Sequence, residues 1–243
     1  MPDPVSWAVL IGAALVGSTL GGIAGFGTGV ILLPVLALVL GVRAAVVTLT
    51  VTMLLGNVSR IWWSRADIHW PVVGRYLLGA VPGTALGVLL FAGTSSARLS
   101  VIIGVFLIAA VPLRRLLLTR HFTVRLRHFG PLGAITGLIS ALVVTTGPKV
   151  TPFFLAYGLR RGAFIATEAS CGLAMHLVRG AGFAKLALIT RETALLGVSL
   201  GATMFVGSWL GRRIVDRLSD RAFLGAIEGL LILMGVHFLL FPR

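Results

Sequence analysis

The chain has 243 residues, of which 57% are hydrophobic and 12% charged, and its mean hydropathy is +1.02. No water-soluble domain of this length stays monodisperse with that balance, so its solvent is lipid. A formal charge of +14, from 21 Lys and Arg against 7 Asp and Glu, would in a soluble protein point to nucleic acid. Here the arginines fall in short connections between apolar runs, where membrane topology and anionic headgroups account for them, and nucleic acid is not expected as a partner.

The N-terminus, Met1-Pro2-Asp3-Pro4, lacks the basic region of a cleavable signal peptide, so the first apolar segment is expected to remain. That segment, 5–40, would be roughly 54 Å long as one helix, too long for a single crossing of a bilayer core of about 30 Å. It is interrupted by Gly25-Phe26-Gly27-Thr28-Gly29, after Gly17, Gly21 and Gly22. Ordinary spans follow at 44–63, 72–91 and 99–118. A second interrupted segment, 131–157, breaks around Thr145-Thr146-Gly147-Pro148-Lys149, and spans at 163–183, 193–210 and 222–241 complete the chain. Gly and Pro at membrane depth free backbone groups that need protein or water as partners. Each interrupted segment therefore reads as a hairpin or broken helix. The fold class is all-α integral membrane, with about eight helical membrane segments.

Sliding the chain on itself exposes a repeat. At an offset of 119, Thr48 meets Thr167, Asn57 meets His176 and Arg60 meets Arg179. At 124, Gly83-Thr84-Ala85-Leu86-Gly87 meets Gly207-Ser208-Trp209-Leu210-Gly211. The expected organisation is an N-terminal repeat at 1–118, a basic cytoplasmic connection at 119–129 and a C-terminal repeat at 130–243. If each half is a hairpin with both ends on one side followed by three spans, one face collects 14 of the 21 basic residues. That face should be cytoplasmic. Three spans per half is odd, so the second half is inverted relative to the first.

Broken helices at corresponding places in inverted halves point to a transport site, because half-helix ends aim backbone dipoles at the midplane. The first break offers Gly27, Thr28 and Gly29, although small residues also serve close helix packing. The second offers Lys149 with the hydroxyls of Thr145 and Thr146, a donor set suited to an oxyanion unless the lysine snorkels to an interface. The span after each break carries a polar stripe. In one half it holds Thr48, Thr52 and Ser59 with Asn57 and Arg60; in the other, Glu168 and Arg179 with His176 to one side. Glu168 could carry a coupling proton or neutralise Lys149 or an arginine. His176 could relay protons or make an interhelical hydrogen bond. Arg60 and Arg179, near span ends, could bind substrate or anchor the interface. The scattered histidines and single cysteine, Cys171, provide neither a metal site nor a nucleophile with its base, so no cofactor and no enzyme activity are expected.

The glycine run leading to Ile31-Leu32-Leu33-Pro34, Gly41, and in the second half Thr146-Gly147-Pro148 leading to Pro152-Phe153-Phe154, Gly158-Leu159 and 166–169 running to His176-Leu177, resemble the TauE/SafE family of sulfite and organosulfonate transporters. The second half departs from the family's usual glycine-rich turn, with Thr145, Thr146 and Lys149 standing there. The resemblance implies a multi-pass protein of the bacterial inner membrane that moves sulfite, sulfoacetate or another organosulfonate. On this reading the chain is a secondary transporter, in the export direction, working by alternating access. An anion channel or a non-transporting membrane scaffold are the alternatives. The expected partners are a small anion and the lipid bilayer, with a homodimer left open.

Overall fold

In lipid a long apolar run satisfies its backbone only as a helix or a closed barrel. The computed structural model describes residues 2–24, 28–119, 123–144, 147–159, 161–214, 228, 232–233 and 235–241, and among these it contains helices and no strand. The helices are α1 (Pro4–Ala24), α2 (Thr28–Leu40), α3 (Val42–Ser64), α4 (Trp70–Gly93), α5 (Ser96–Thr119), α6 (Phe129–Val143), α7 (Gly147–Ala156), α8 (Arg161–Lys185) and α9 (Arg191–Ile214), and residues 235–240 are helical as well. Among the described residues, six helical stretches are long and apolar enough to cross a membrane: α1, α3, α4, α5, α6 with its preceding turn, and α9. α8 has 25 residues, about 37 Å, but its charged residues set it apart from these six. Half of the expected last span, 222–241, lies outside the described residues.

Both interrupted segments are hairpins. α2 turns back on α1, so that Thr28 Oγ1 donates to the Gly17 carbonyl at 2.9 Å. α7 turns back on α6, with the Phe154 and Tyr157 rings 5.1 and 5.3 Å from Phe129 at the start of α6. Each hairpin leaves its short helix through a glycine at positive φ, Gly41 at 78° and Gly158 at 104°. Side chains with a Cβ rarely adopt that conformation.

The helix directions follow from side-chain pairings. α3 and α9 run parallel, since Gly197 lies against Val51, Gly201 against Leu55, and the Ser59 and Ser208 hydroxyls are 2.9 Å apart. α4 and α8 run parallel too: the His69 amide donates to Thr167 Oγ1 at 3.0 Å, and further along Gly182 lies against Val88. α3 and α8, however, are antiparallel. Gly180 faces Thr50 and Leu54, Gly172 faces Asn57, and Gly162 faces Asp67 just beyond the end of α3. As α3 and α8 are the helices matched by the 119-residue offset, the two halves are inverted with respect to each other.

The repeat also shows in the helix contacts between the halves. α4 packs on α6, and α1 on α9. Gly83 and Gly87 abut the carbonyls of Ala134 and Leu138; Gly207 and Gly211 abut those of Leu15 and Thr19. The second set is the first displaced by the offsets of 119 and 124 found in the sequence. A methyl group on Gly207 would fall 2.9 Å from the Leu15 carbonyl oxygen, and one on Gly87 2.5 Å from that of Leu138. Side chains there would force the helices apart, which is why small residues line membrane helix contacts.

Candidate functional site

α3 and α8 pack on each other inside the bundle, α3 also against α2 and α9, and α8 also against α4, α6 and α7. Thr48, Thr52, Asn57, Ser59, Thr167 and Arg179 are fully buried, and Arg60 and His176 nearly so. Both polar stripes face protein, and the interface reading of the two arginines is not met: neither guanidinium lies at the surface.

The stripes join into one seam. Towards the end of α3, Arg60 Nη1 donates to Glu168 Oε2 of α8 at 3.0 Å. Its Nη2 donates to Asn57 Oδ1, one turn earlier on α3. The Asn57 side chain lies against Gly172, where a Cβ would sit 3.1 Å from Nδ2. That Nδ2 is buried with no hydrogen-bond partner. A buried amide donor left unmade costs about 1 to 3 kcal/mol, so the position expects an acceptor. Farther along α8, Arg179 Nη2 donates to His176 Nδ1 and Nη1 to the Ser140 carbonyl of α6. An arginine always donates, so His176 is neutral in this arrangement and carries its proton on Nε2. Eleven residues separate Glu168 from Arg179, roughly 16 Å of helix axis.

Arg179 serves the second break directly. α6 ends at Val143, and Val144 adopts φ 64° and ψ −34°. A β-branched residue at positive φ is strained. The Val144 amide donates to the Ser140 carbonyl at 2.7 Å, the same oxygen that Arg179 holds. A cation at the C-terminal end of a helix offsets the partial negative charge of its last carbonyls. Arg179 thus braces the point where α6 stops inside the protein. Its Nε is buried without a partner. Around it, Ser140 Oγ donates to the Gly137 carbonyl at 3.2 Å, and Tyr76 OH meets Thr136 Oγ1 at 2.5 Å.

The expected residues of the breaks fare differently. Thr28 and Gly29 form the first turn of α2 and are buried, but the Thr28 hydroxyl proton goes to α1. Lys149 lies in the first turn of α7, and its side chain is outside the described residues, as are Gly27, Thr145 and Thr146 altogether. Glu168 pairs with Arg60, one of the two roles open to it in the sequence. The seam includes one element the sequence did not single out, the Ser140 carbonyl, a backbone group with no residue-type signal. A cavity of about 310 Å³ lies elsewhere, between the end of α2 and His237, Phe238 and Phe241. Its lining is mainly apolar and it does not touch the seam.

The arrangement is a buried cationic seam with unfilled donors, with α2 packed on α3 and α7 on α8. It can hold an anion. No curated protein and no solved structure matches the chain. The model of the sulfite exporter TauE/SafE family matches residues 9–238, nearly the whole length, and the protein therefore belongs to that family of membrane transporters.

Proposed function

We propose that the protein is a secondary transporter of a small oxyanion such as sulfite, sulfoacetate or another organosulfonate, exporting it across the bacterial inner membrane. The observation that carries this reading is the Arg60–Asn57 pair: a protein-enclosed guanidinium beside a buried amide donor that has no acceptor. Charge-assisted donors of this kind suit a sulfur oxyanion. The starts of α2 and α7 add the positive ends of two helix dipoles. Gly27, Gly29, Thr145, Thr146 and Lys149 are the break residues assigned to the anion path, while the Thr28 hydroxyl stays committed to α1, and Asn57, Arg60, His176 and Arg179 line the seam.

Orientation in the membrane follows from charge. Helix directions bring the ends of α3 and α9 and the starts of α4 and α8 to one face. With Arg60 and Arg179 inside the protein, the sequence segments assigned to that face hold 13 Lys and Arg against 5 for the other, Lys149 apart. Under the positive-inside rule the richer face is cytoplasmic. Alternating access is then a rocking of one inverted half against the other about the α3–α8 crossing.

Proteoliposomes loaded with labelled sulfite or sulfoacetate test the reading. Saturable flux with acceleration by substrate on the far side is expected, and Arg60→Met and Lys149→Ala should each lower it at least tenfold. Flux that never saturates favours a channel. Absence of flux above protein-free vesicles, with no substrate-induced thermal shift in detergent, leaves a scaffold. Unimpaired flux in Lys149→Ala removes that lysine from the site.

A further inference from the structure

Glu168 has no counterpart in the other half. The 119-residue offset carries Arg60 onto Arg179 and Asn57 onto His176, yet it carries Leu49, a buried apolar residue, onto Glu168. The carboxylate is therefore a one-sided addition to a duplicated frame, and it joins the halves, reaching from α8 to Arg60 on α3. A buried ion pair is a weak source of stability compared with apolar side chains of the same volume. This pair also leaves Asn57 Nδ2, next to the same guanidinium, without an acceptor.

We propose that Glu168 is a built-in surrogate for the transported anion and the site of a coupling proton. This rests on the reading of the Arg60–Asn57 pair as an anion site. With no substrate present, the Glu168 carboxylate occupies Arg60, as observed. An incoming oxyanion takes its place, accepting hydrogen bonds from Arg60 and from the unfilled Asn57 amide. The displaced carboxylate takes a proton from a hydronium ion, forming its O–H bond as the hydronium O–H bond breaks and leaves water. Before the exchange the site holds one guanidinium and one carboxylate; afterwards it holds one guanidinium, one singly charged substrate and a neutral carboxyl. The charge of the site is unchanged. One proton accompanies each monoanion, and the transport cycle is electroneutral.

The surroundings allow that exchange. Glu168 is 12% exposed, more open than Arg60 at 7%, and the exchange requires that opening to admit water. Among the described residues, the titratable groups that interact with Glu168 include Arg60 on α3, Tyr76 on α4 and Cys171 on α8 itself, and the His69 amide at the start of α4 donates to the neighbouring Thr167. Asp67, in the turn after α3, faces Gly162. His176 lies two turns along α8, engaged by Arg179. Lys149 of α7 has its side chain outside the described residues, and α6 presents no titratable group to Glu168 among the described residues.

The test is flux of labelled hydrogensulfite into proteoliposomes at mildly acidic pH, where sulfite is almost wholly singly charged, with the membrane potential clamped by valinomycin and potassium. Accumulation by the wild type should not change with a 100 mV potential. Glu168→Gln should keep exchange of labelled for unlabelled substrate, while its accumulation becomes potential-dependent, by up to about 50-fold per 100 mV for one charge moved alone. Potential-driven accumulation in the wild type, or an electroneutral Glu168→Gln, overturns the proposal and leaves the transport reading standing. Absence of flux in the wild type overturns the transport reading itself. A measurement that needs no variant is difference infrared spectroscopy of the wild type in lipid. Adding hydrogensulfite should raise the band of a protonated carboxyl, and no such band overturns the proposal.

Discussion

The two breaks solve one problem with different residues. In each half a helix must stop inside the protein and the chain must turn into a short helix. The first half has Gly25 at the position that the offset pairs with Val144, and Gly27 two residues on. The second half forces Val144 to positive φ and braces it through the Ser140 carbonyl with Arg179. The two arginines, equivalent by position, have therefore parted in role. Arg179 is bound to neutral acceptors that belong to the fold, whereas Arg60 holds a carboxylate, which in the proposed exchange an anion replaces. A duplicated site has divided into a brace and a binding group.

If that division is right, the ion pair gives the largest effect. Glu168→Leu alone removes the carboxylate that the buried Arg60 guanidinium pairs with and should cost about 3 to 5 kcal/mol. The double variant Arg60→Met/Glu168→Leu removes both charges and should recover most of that loss, in a double-mutant cycle read by unfolding in detergent. It should stay folded and carry no substrate. A double variant as unstable as the single one would make the pair a structural tie, and the contrast with Arg179 would fall.

Arg179→Met comes next. It preserves much of the side-chain volume but leaves the end of α6 without its cation, at about 1 to 3 kcal/mol. Because Arg179 meets no carboxylate among the described residues, no second substitution in Glu168 should rescue it. Rescue would show that the two arginines share one electrostatic network rather than two roles.

Much of this frame was legible in the sequence because glycines at helix contacts leave a mark that duplication copies. The offset of 124 between 83–87 and 207–211 corresponds to Gly83 and Gly87 against α6 and Gly207 and Gly211 against α1. Polar stripes on apolar helices likewise announced the buried α3–α8 seam. The pairing within the seam was not legible. Whether Glu168 meets Arg60, Arg179 or Lys149 depends on the register of two antiparallel helices 108 residues apart in sequence, and no local pattern sets that register. The brace was hidden for another reason: Arg179 binds a backbone oxygen, and every residue has one.

The glycine contacts give a smaller effect that compares the halves directly. Gly87→Val and Gly211→Val place a side chain against equivalent carbonyls, those of Leu138 and Thr19. Each should cost about 1 to 3 kcal/mol through overpacking, and thermal unfolding should show the two losses to be similar. A tolerated Gly211→Val beside a damaging Gly87→Val would mean that the α1–α9 contact loosens during the cycle while α4–α6 stays closed.

The smallest effect concerns Thr28. Its hydroxyl donates to the Gly17 carbonyl, and the equivalent position of the second hairpin is Gly147, which has no hydroxyl to give. Thr28→Val keeps the shape and removes the hydrogen bond, so it should cost about 1 kcal/mol and increase hydrogen exchange at the start of α2. Because the proton is already committed to α1, the KM for sulfite should stay within about twofold, a difference worth only about 0.4 kcal/mol. A KM raised tenfold with stability unchanged would mean that the hydroxyl leaves Gly17 to bind the anion. The first hairpin would then be the mobile one, and the glycines at its break would serve movement where the second half's brace serves rigidity.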